Sequence, residues 1–153
     1  MSHYVLKHEQ LIRRPPAEVW RFFSDPGNLA VITPPYMNFR VTSSDIATTI
    51  YPGQIITYKV SPLLGIPLSW ITEITHVRDG VFFVDEQRAG PYRLWHHEHH
   101  FTDTGNGVLM KDIVHYMLPF SIFGTLAHQL FVKRQLENIF EFRRRKITEI
   151  FRE

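Results

Sequence analysis

The 153-residue sequence contains no cysteine. Disulfides, thiolate zinc sites, iron–sulfur clusters and a cysteine nucleophile are therefore excluded, and a reducing compartment fits. Long apolar runs are missing too: no stretch approaches the roughly 20 apolar residues that a membrane-spanning helix needs. The first residues, Met1 to Glu9, show no apolar core behind a basic segment, so no signal peptide is expected. Nor is there an excess of one charge. The formal net charge is +2 with the histidines neutral, too small to imply a nucleic-acid partner. The one basic run, Arg143-Arg144-Arg145-Lys146, reads as the solvated end of a helix, where the macrodipole favours cations. Together these absences predict a cytoplasmic, soluble protein with one domain over residues 1–153 and no integral membrane segment.

What the chain does have is aromatic side chains and clustered histidine. Twelve Phe, six Tyr and three Trp make up 14% of the residues, a supply that suits a cavity wall as well as a core. Four of the nine histidines fall between His96 and His100, behind Gly90-Pro91 and beside Trp95. On a helix, His97-Glu98 would need a histidine at position 101 to make a zinc-protease motif, and that position is Phe101. On a strand, side chains alternate between faces. Arg93, Trp95, His97, His99 and Phe101 then share one face; Tyr92, Leu94, His96, Glu98 and His100 share the other. The first set sorts as a buried face with aromatics bracketing two histidines, which leaves His96 and His100 solvated outside.

The rest of the chain supplies the frame. Residues 3–12 alternate as a strand, with Tyr4, Leu6, His8 and Gln10 together. Residues 14–24 form a short amphipathic helix with proline in its first turn, and residues 28–32 a second, stopped by Pro34-Pro35. The period then changes to two. Strands are predicted over 37–42, 53–60, 68–78, 81–88, 92–101 and 108–118, separated by turn signals such as Asp79-Gly80 and 103–107. From 120 to 152 there is no proline, and apolar residues recur at helical spacing. An antiparallel sheet that is polar outside needs a cover for its inner face, and the long helix provides it.

That order of elements, together with particular residues, resembles the START/Bet v 1-like (SRPBCC) superfamily of helix-grip domains. Pro16-Ala17-Glu18-Val19-Trp20 followed by Phe23-Ser24-Asp25-Pro26 is similar to that superfamily's first helix. Gly53 with Tyr58, Trp70, Gly90-Pro91 and Trp95-x-His97-x-His99-x-Phe101 resemble a bacterial branch of polyketide cyclase/dehydrase-like proteins. The resemblance covers the whole chain. It implies an α+β fold in which a curved antiparallel sheet of about seven strands (β-α-α-β6-α) wraps around a long C-terminal helix. It also implies a pocket for a hydrophobic or amphipathic small molecule such as a lipid, quinone or polyketide. A fold that hosts many functions does not choose among them.

Within such a pocket the inward strand positions nominate Tyr58, Trp70, Phe83, Asp85, Trp95, His97, His99, Asp112 and Tyr116 as ligand-binding residues. Pairing Gln87 with Arg93 would set Asp85 opposite Trp95 and Phe83 opposite His97. Across the next hairpin, Phe101 beside Met110 sets His99 beside Asp112, while a two-residue slip would give Asp112 to His97 instead. A His–Asp pair of this kind is either a general base with its orienting carboxylate or a satisfied buried pair that holds the sheet together. His97, His99 and Asp112 are thus the catalytic candidates, with no serine beside them as nucleophile. His97 and His99 with Asp112 or Asp85 would also start a metal site, but no further ligand is identifiable, so neither metal nor cofactor is assigned. Pro34-Pro35-Tyr36 and the 63–67 loop are candidates for the pocket mouth, the loop as lid. Three functions remain open: a small-molecule binder or carrier, a cyclase or dehydratase using His97 or His99 as base, and a protein-interaction module with a collapsed cavity.

Overall fold

The structure is a computed structural model that describes residues 2–62, 65–119, 126 and 131–152. Seven strands form one antiparallel sheet: β1 (Tyr4–Ile12), β2 (Arg40–Val41), β3 (Ile55–Val60), β4 (Leu68–Arg78), β5 (Phe82–Ala89), β6 (Leu94–Asp103) and β7 (Val108–Met117). Their order is β1-β7-β6-β5-β4-β3-β2, so β2 to β7 meander and the N-terminal strand closes onto the last one. Helix α1 (Pro16–Phe23) follows β1, and helix α2 (Lys133–Ile150) ends the chain. The α+β architecture, a curved sheet closed by a C-terminal helix, is the one anticipated from the sequence.

Local chemistry explains the elements. β7 alternates strictly, with Val108, Met110, Asp112, Val114 and Tyr116 buried, and β3 buries Ile56, Tyr58 and Val60. Helix α1 starts on Pro16, whose missing N–H is no loss in a first turn. It buries Val19, Trp20 and Phe23, and Trp20 meets the rings of Phe83 and Phe101 edge-on at 6.0 and 5.4 Å. Edge-on pairs of this kind contribute about 0.5–1.5 kcal/mol each beyond the area they bury. The Asp25 carboxylate accepts from Gly27 N at 2.9 Å and opens a 3-10 turn at Pro26–Ala30, where a second short helix was expected over 28–32. Gly107 sits at φ 134, and a Cβ there would collide with the Ile12 carbonyl where β7 meets the end of β1.

Two expectations shift. The strand expected over 37–42 shrinks to Arg40–Val41, because Pro34 and Pro35 lead into a 3-10 turn at Pro35–Met37 and Asn38 adopts a left-handed φ of 47. The strand expected from 92 begins at Leu94. The Gln87 side chain turns back over the loop, donating to Tyr92 O at 2.6 Å and accepting from Tyr92 N at 3.1 Å. Of the helix expected over 120–152, α2 covers Lys133–Ile150; residues 120–125 and 127–130 lie outside the described residues. Among the described residues no helix is long and apolar enough to cross a membrane.

The inner face of the sheet carries two apolar clusters. One joins α1 to β3–β7 through Trp20, Phe23, Ile56, Phe83, Phe101 and Met110. The other joins α2 to β7 through Leu136, Phe140, Val114 and Tyr116. The site lies where they meet.

Candidate functional site

A cavity of about 190 Å³ lies between the inner face of the sheet and α2. That exceeds the roughly 150 Å³ known to take up a benzene-sized molecule. Apolar side chains dominate its walls: Ile56, Trp70, Ile74, Phe83 and Trp95 from the sheet, Phe22, Phe23 and Leu29 from the α1 region, and Leu136, Ile139 and Phe140 from α2. Trp70 meets Trp95 edge-on at 5.3 Å. Into this apolar lining project Asp85, His97, His99 and Arg143.

The four form one network with Asp112. His97 Nε2–H donates to Asp112 Oδ1 at 2.8 Å, and His99 Nε2–H donates to Asp85 Oδ2 at 2.7 Å. His99 Nδ1 is 3.1 Å from Asp112 Oδ1, and His97 Nδ1 is 3.7 Å from Asp85 Oδ2. Each imidazole therefore stands between the same two carboxylates, and the two rings are 3.7 Å apart. Arg143 Nη2 reaches Asp112 Oδ1 at 3.3 Å and lies 3.4 Å from His99 Nδ1. His97, His99, Asp112 and Arg143 are 4–7% exposed. The Phe83 ring stacks on His99 at 4.0 Å and walls that side.

Burial and charge set the protonation states. Burial raises the Asp112 pKa, but the Arg143 charge and the hydrogen bonds from His97 and His99 outweigh it and hold the carboxyl well below the usual range. Burial works the same way on Asp85, and the His99 hydrogen bond with the His97, His99 and Arg143 charges again leaves it lowered. For His97, burial and repulsion from His99 win over the carboxylates, so its pKa falls below the ordinary 6.5. For His99, burial lowers the pKa but hydrogen bonds to Asp112 and Asp85 outweigh it, and the value rises. The two pKa values are therefore pushed apart, His97 down and His99 up, the pattern by which one site can separate an acid from a base. Burial and the Asp85 charge also push the Tyr58 hydroxyl up, which keeps it a hydrogen-bond donor.

No protein-family model and no curated protein sequence matches the chain. Solved structures do. Protein CV1439 from Chromobacterium violaceum superposes with a TM-score of 0.74 at 11% identity, covering 97% of each chain. The ginseng major latex-like protein 151 from Panax ginseng gives 0.71 at 12% identity over 99% of each. TTHA0849 from Thermus thermophilus gives 0.65 at 18% identity over 96% of this chain and 99% of the other. The chain has the START/Bet v 1-like helix-grip fold. At these identities the likeness is one of fold.

Within that helix grip, Tyr58, Trp70, Phe83, Asp85, Trp95, His97 and His99 line the cavity. Asp112 lies behind the histidines, and Tyr116 lies beside the cavity, 5.4 Å from the Tyr4 ring and 6.4 Å from Trp95, with its hydroxyl pushed up to about 12 by burial. The β6–β7 register is the one expected, with His99 opposite Asp112 and Trp95 opposite Tyr116. His97 nonetheless reaches Asp112 diagonally, so the choice between the two histidines resolves as both. The β5–β6 register needs correcting by two residues: Asp85 faces His97 and Phe83 faces His99. The Gln87 clasp delays pairing until Glu86 meets His96, and that shift is what carries Asp85 to the histidines.

Arg143 is also a correction. The basic run reads as a solvated helix end, yet only Arg144 and Arg145 of its arginines are exposed. Arg143 shares the buried stripe Leu136, Phe140, Ile147 at steps of four, three and four, and that spacing is the signal available in the sequence. Strand alternation puts Tyr92 on the outer face and Arg93 on the inner; ahead of the strand start the alternation does not hold, and Tyr92 lines the cavity while Arg93 is exposed. Around the Pro34-Pro35-Tyr36 segment, Thr33 and Met37 line the cavity and Tyr36 is exposed. Leu63 and Leu64 of the expected lid lie outside the described residues. Pro62 lines the cavity, its carbonyl accepting from the Gln135 side chain of α2, and Ile66 is exposed.

Proposed function

We propose that the protein binds or carries a hydrophobic or aromatic small molecule, lipid-, quinone- or polyketide-like, between the sheet and α2. The observation that carries this reading is the apolar cavity with one polar cluster on its wall. Cavities that bind small molecules have this make-up, mostly apolar walls with a few convergent polar groups that fix the ligand's orientation. Trp70, Trp95 and Phe83 pack on the apolar body, and Tyr58, His97, His99 and Arg143 orient the polar end. The test is native mass spectrometry for a copurified ligand, with thermal shifts and tryptophan quenching against lipids, quinones and aromatic polyketides. No copurified mass and no shift with any of them would sink the reading.

A second reading, a cofactor-independent cyclase or dehydratase, is favoured by one arrangement: His97 lies on the cavity wall with its ring held by Asp112 at 2.8 Å, as a general base with an orienting carboxylate requires. Turnover lost in His97→Ala and His99→Ala with ligand binding retained supports it. A protein-interaction module with a collapsed interior is the least supported, because the interior holds a cavity.

A further inference from the structure

We propose that Asp85, His97 and His99 form a site for one divalent transition-metal ion that faces the cavity and takes an anionic oxygen of the ligand. The last clause rests on the ligand-binding reading above; the metal site itself does not.

One donor atom from each of the three residues lies within 4.8 Å of the other two. An ion bound at about 2.0–2.2 Å to nitrogen and oxygen places its donors roughly 3–3.5 Å apart. Asp85 Oδ2 is 2.7 Å from His99 Nε2 and 3.7 Å from His97 Nδ1, distances that bracket this value. Small side-chain movements would therefore complete the site.

The far nitrogens make the stronger argument. Asp112 Oδ1 lies 2.8 Å from His97 Nε2 and 3.1 Å from His99 Nδ1. Where the metal takes the place of the His99 Nε2 proton, one carboxylate, Asp112, accepts from both rings and both remaining lone pairs turn towards Asp85. Metal-ligating histidines are oriented in this way by a hydrogen bond from the other ring nitrogen. With His97 donating to Asp112, its Nδ1 lone pair faces the Asp85 carboxylate, two acceptors across a gap suited to a cation. Three adjacent strands in fixed register hold every member, which preorganises the site.

Charge names the class of ligand. Asp85 and Asp112 bring two negative charges and Arg143 one positive, so a divalent ion with neutral imidazoles leaves the site at +1. An anionic oxygen neutralises that excess. Among the described residues Arg143 Nε is also a buried donor without a partner. Two imidazoles with a carboxylate and no thiolate suit zinc, cobalt, nickel or ferrous iron.

The outer face of the same strand supplies the control. His96 and His100 bond Glu86 and Glu98 at 2.8 Å each, but on the exposed side. Metal-stripped protein titrated with Zn²⁺ alone in a calorimeter, and with Co²⁺ followed by visible absorption, should take up one ion per chain. Asp85→Asn and His97→Gln should each weaken binding at least about 100-fold, and Asp112→Asn about 10–100-fold. The double variant His96→Gln/His100→Gln should leave it unchanged. No saturable uptake, uptake indifferent to Asp85→Asn and His97→Gln, or uptake lost in the outer-face variant would overturn the site. Should the inner variants not fold, Co²⁺-shifted imidazole resonances in the native protein decide: two histidines support the site, and none overturns it. With the metal bound, octanoate should bind at least tenfold more tightly than octanol. Equal binding of the two removes the anionic-oxygen clause and leaves the cavity; metal uptake with neither bound removes the cavity reading and leaves the metal site.

Discussion

Strand β6 sets out four histidines in five residues, two on each face, and the two faces behave differently. His97 and His99 have side chains 7% and 5% exposed, whereas His96 and His100 are at 30% and 36%. Distances do not separate them. His97 meets Asp112 at 2.8 Å, His99 meets Asp85 at 2.7 Å, and the outer pairs to Glu86 and Glu98 are both 2.8 Å. What differs is the surrounding medium. Water screens the outer pairs and competes for their hydrogen bonds, so each contributes little. Inside, the same pairs must balance one another or leave an uncompensated charge.

The largest loss is expected at Arg143. Arg143→Met removes the cation facing Asp112 while leaving that buried carboxylate and the half-buried Asp85, and should cost about 3–5 kcal/mol in urea unfolding. Arg144→Met, which loses an exposed pair with Glu141 at 2.7 Å, should leave urea unfolding nearly unchanged. Equal losses would show that burial is not what separates the two arginines. Next comes Asp112→Asn, which keeps the shape but weakens the acceptor shared by two rings and Arg143; about 1–3 kcal/mol is expected at pH 7.

Stability against pH sharpens the contrast inside the pair. Burial holds His97 below 6.5, so its contribution is intact above pH 6.5 and is lost as the pH falls towards its folded value, because the unfolded chain binds the proton first. The carboxylates hold His99 above 6.5, so its contribution is intact below 6.5 and is lost as the pH rises through its folded value. His97→Gln should therefore flatten the acid side of the profile and His99→Gln the neutral side; identical profiles would contradict the split. Asp112, held well below 3.8, keeps its contribution above that pH and loses it as acid titrates the folded carboxyl. The smallest effect belongs outside: His96→Ala and His100→Ala should each change stability by about 0–1 kcal/mol.

The inner and outer sets of β6 are legible in the sequence because strand alternation is a local rule, and one strand separates Trp95, His97 and His99 from His96 and His100. Tyr58, Trp70 and Phe83 follow from the same rule on their own strands. Alternation also marks Asp85 as inward, yet it gives Asp85 the wrong partner. The Gln87 side chain, clasping the Tyr92 backbone, moves the register, and no period in the sequence reports that hydrogen bond. Arg143 is hidden differently. Its charge argues for solvent and its place on the stripe of Leu136, Phe140 and Ile147 argues for burial; the carboxylates that settle the matter lie 31 and 58 residues earlier, at Asp112 and Asp85.

Neighbours along the chain are enough to set the order of strands and helices, the inward face of each strand, and the presence of two histidines among aromatics. Contacts across the fold set the rest. Asp112 is shared by both rings, Asp85 stands opposite His97, and Arg143 turns inward to balance them. A buried charge is acceptable only where its counter-charge is, and only the folded chain places the two together.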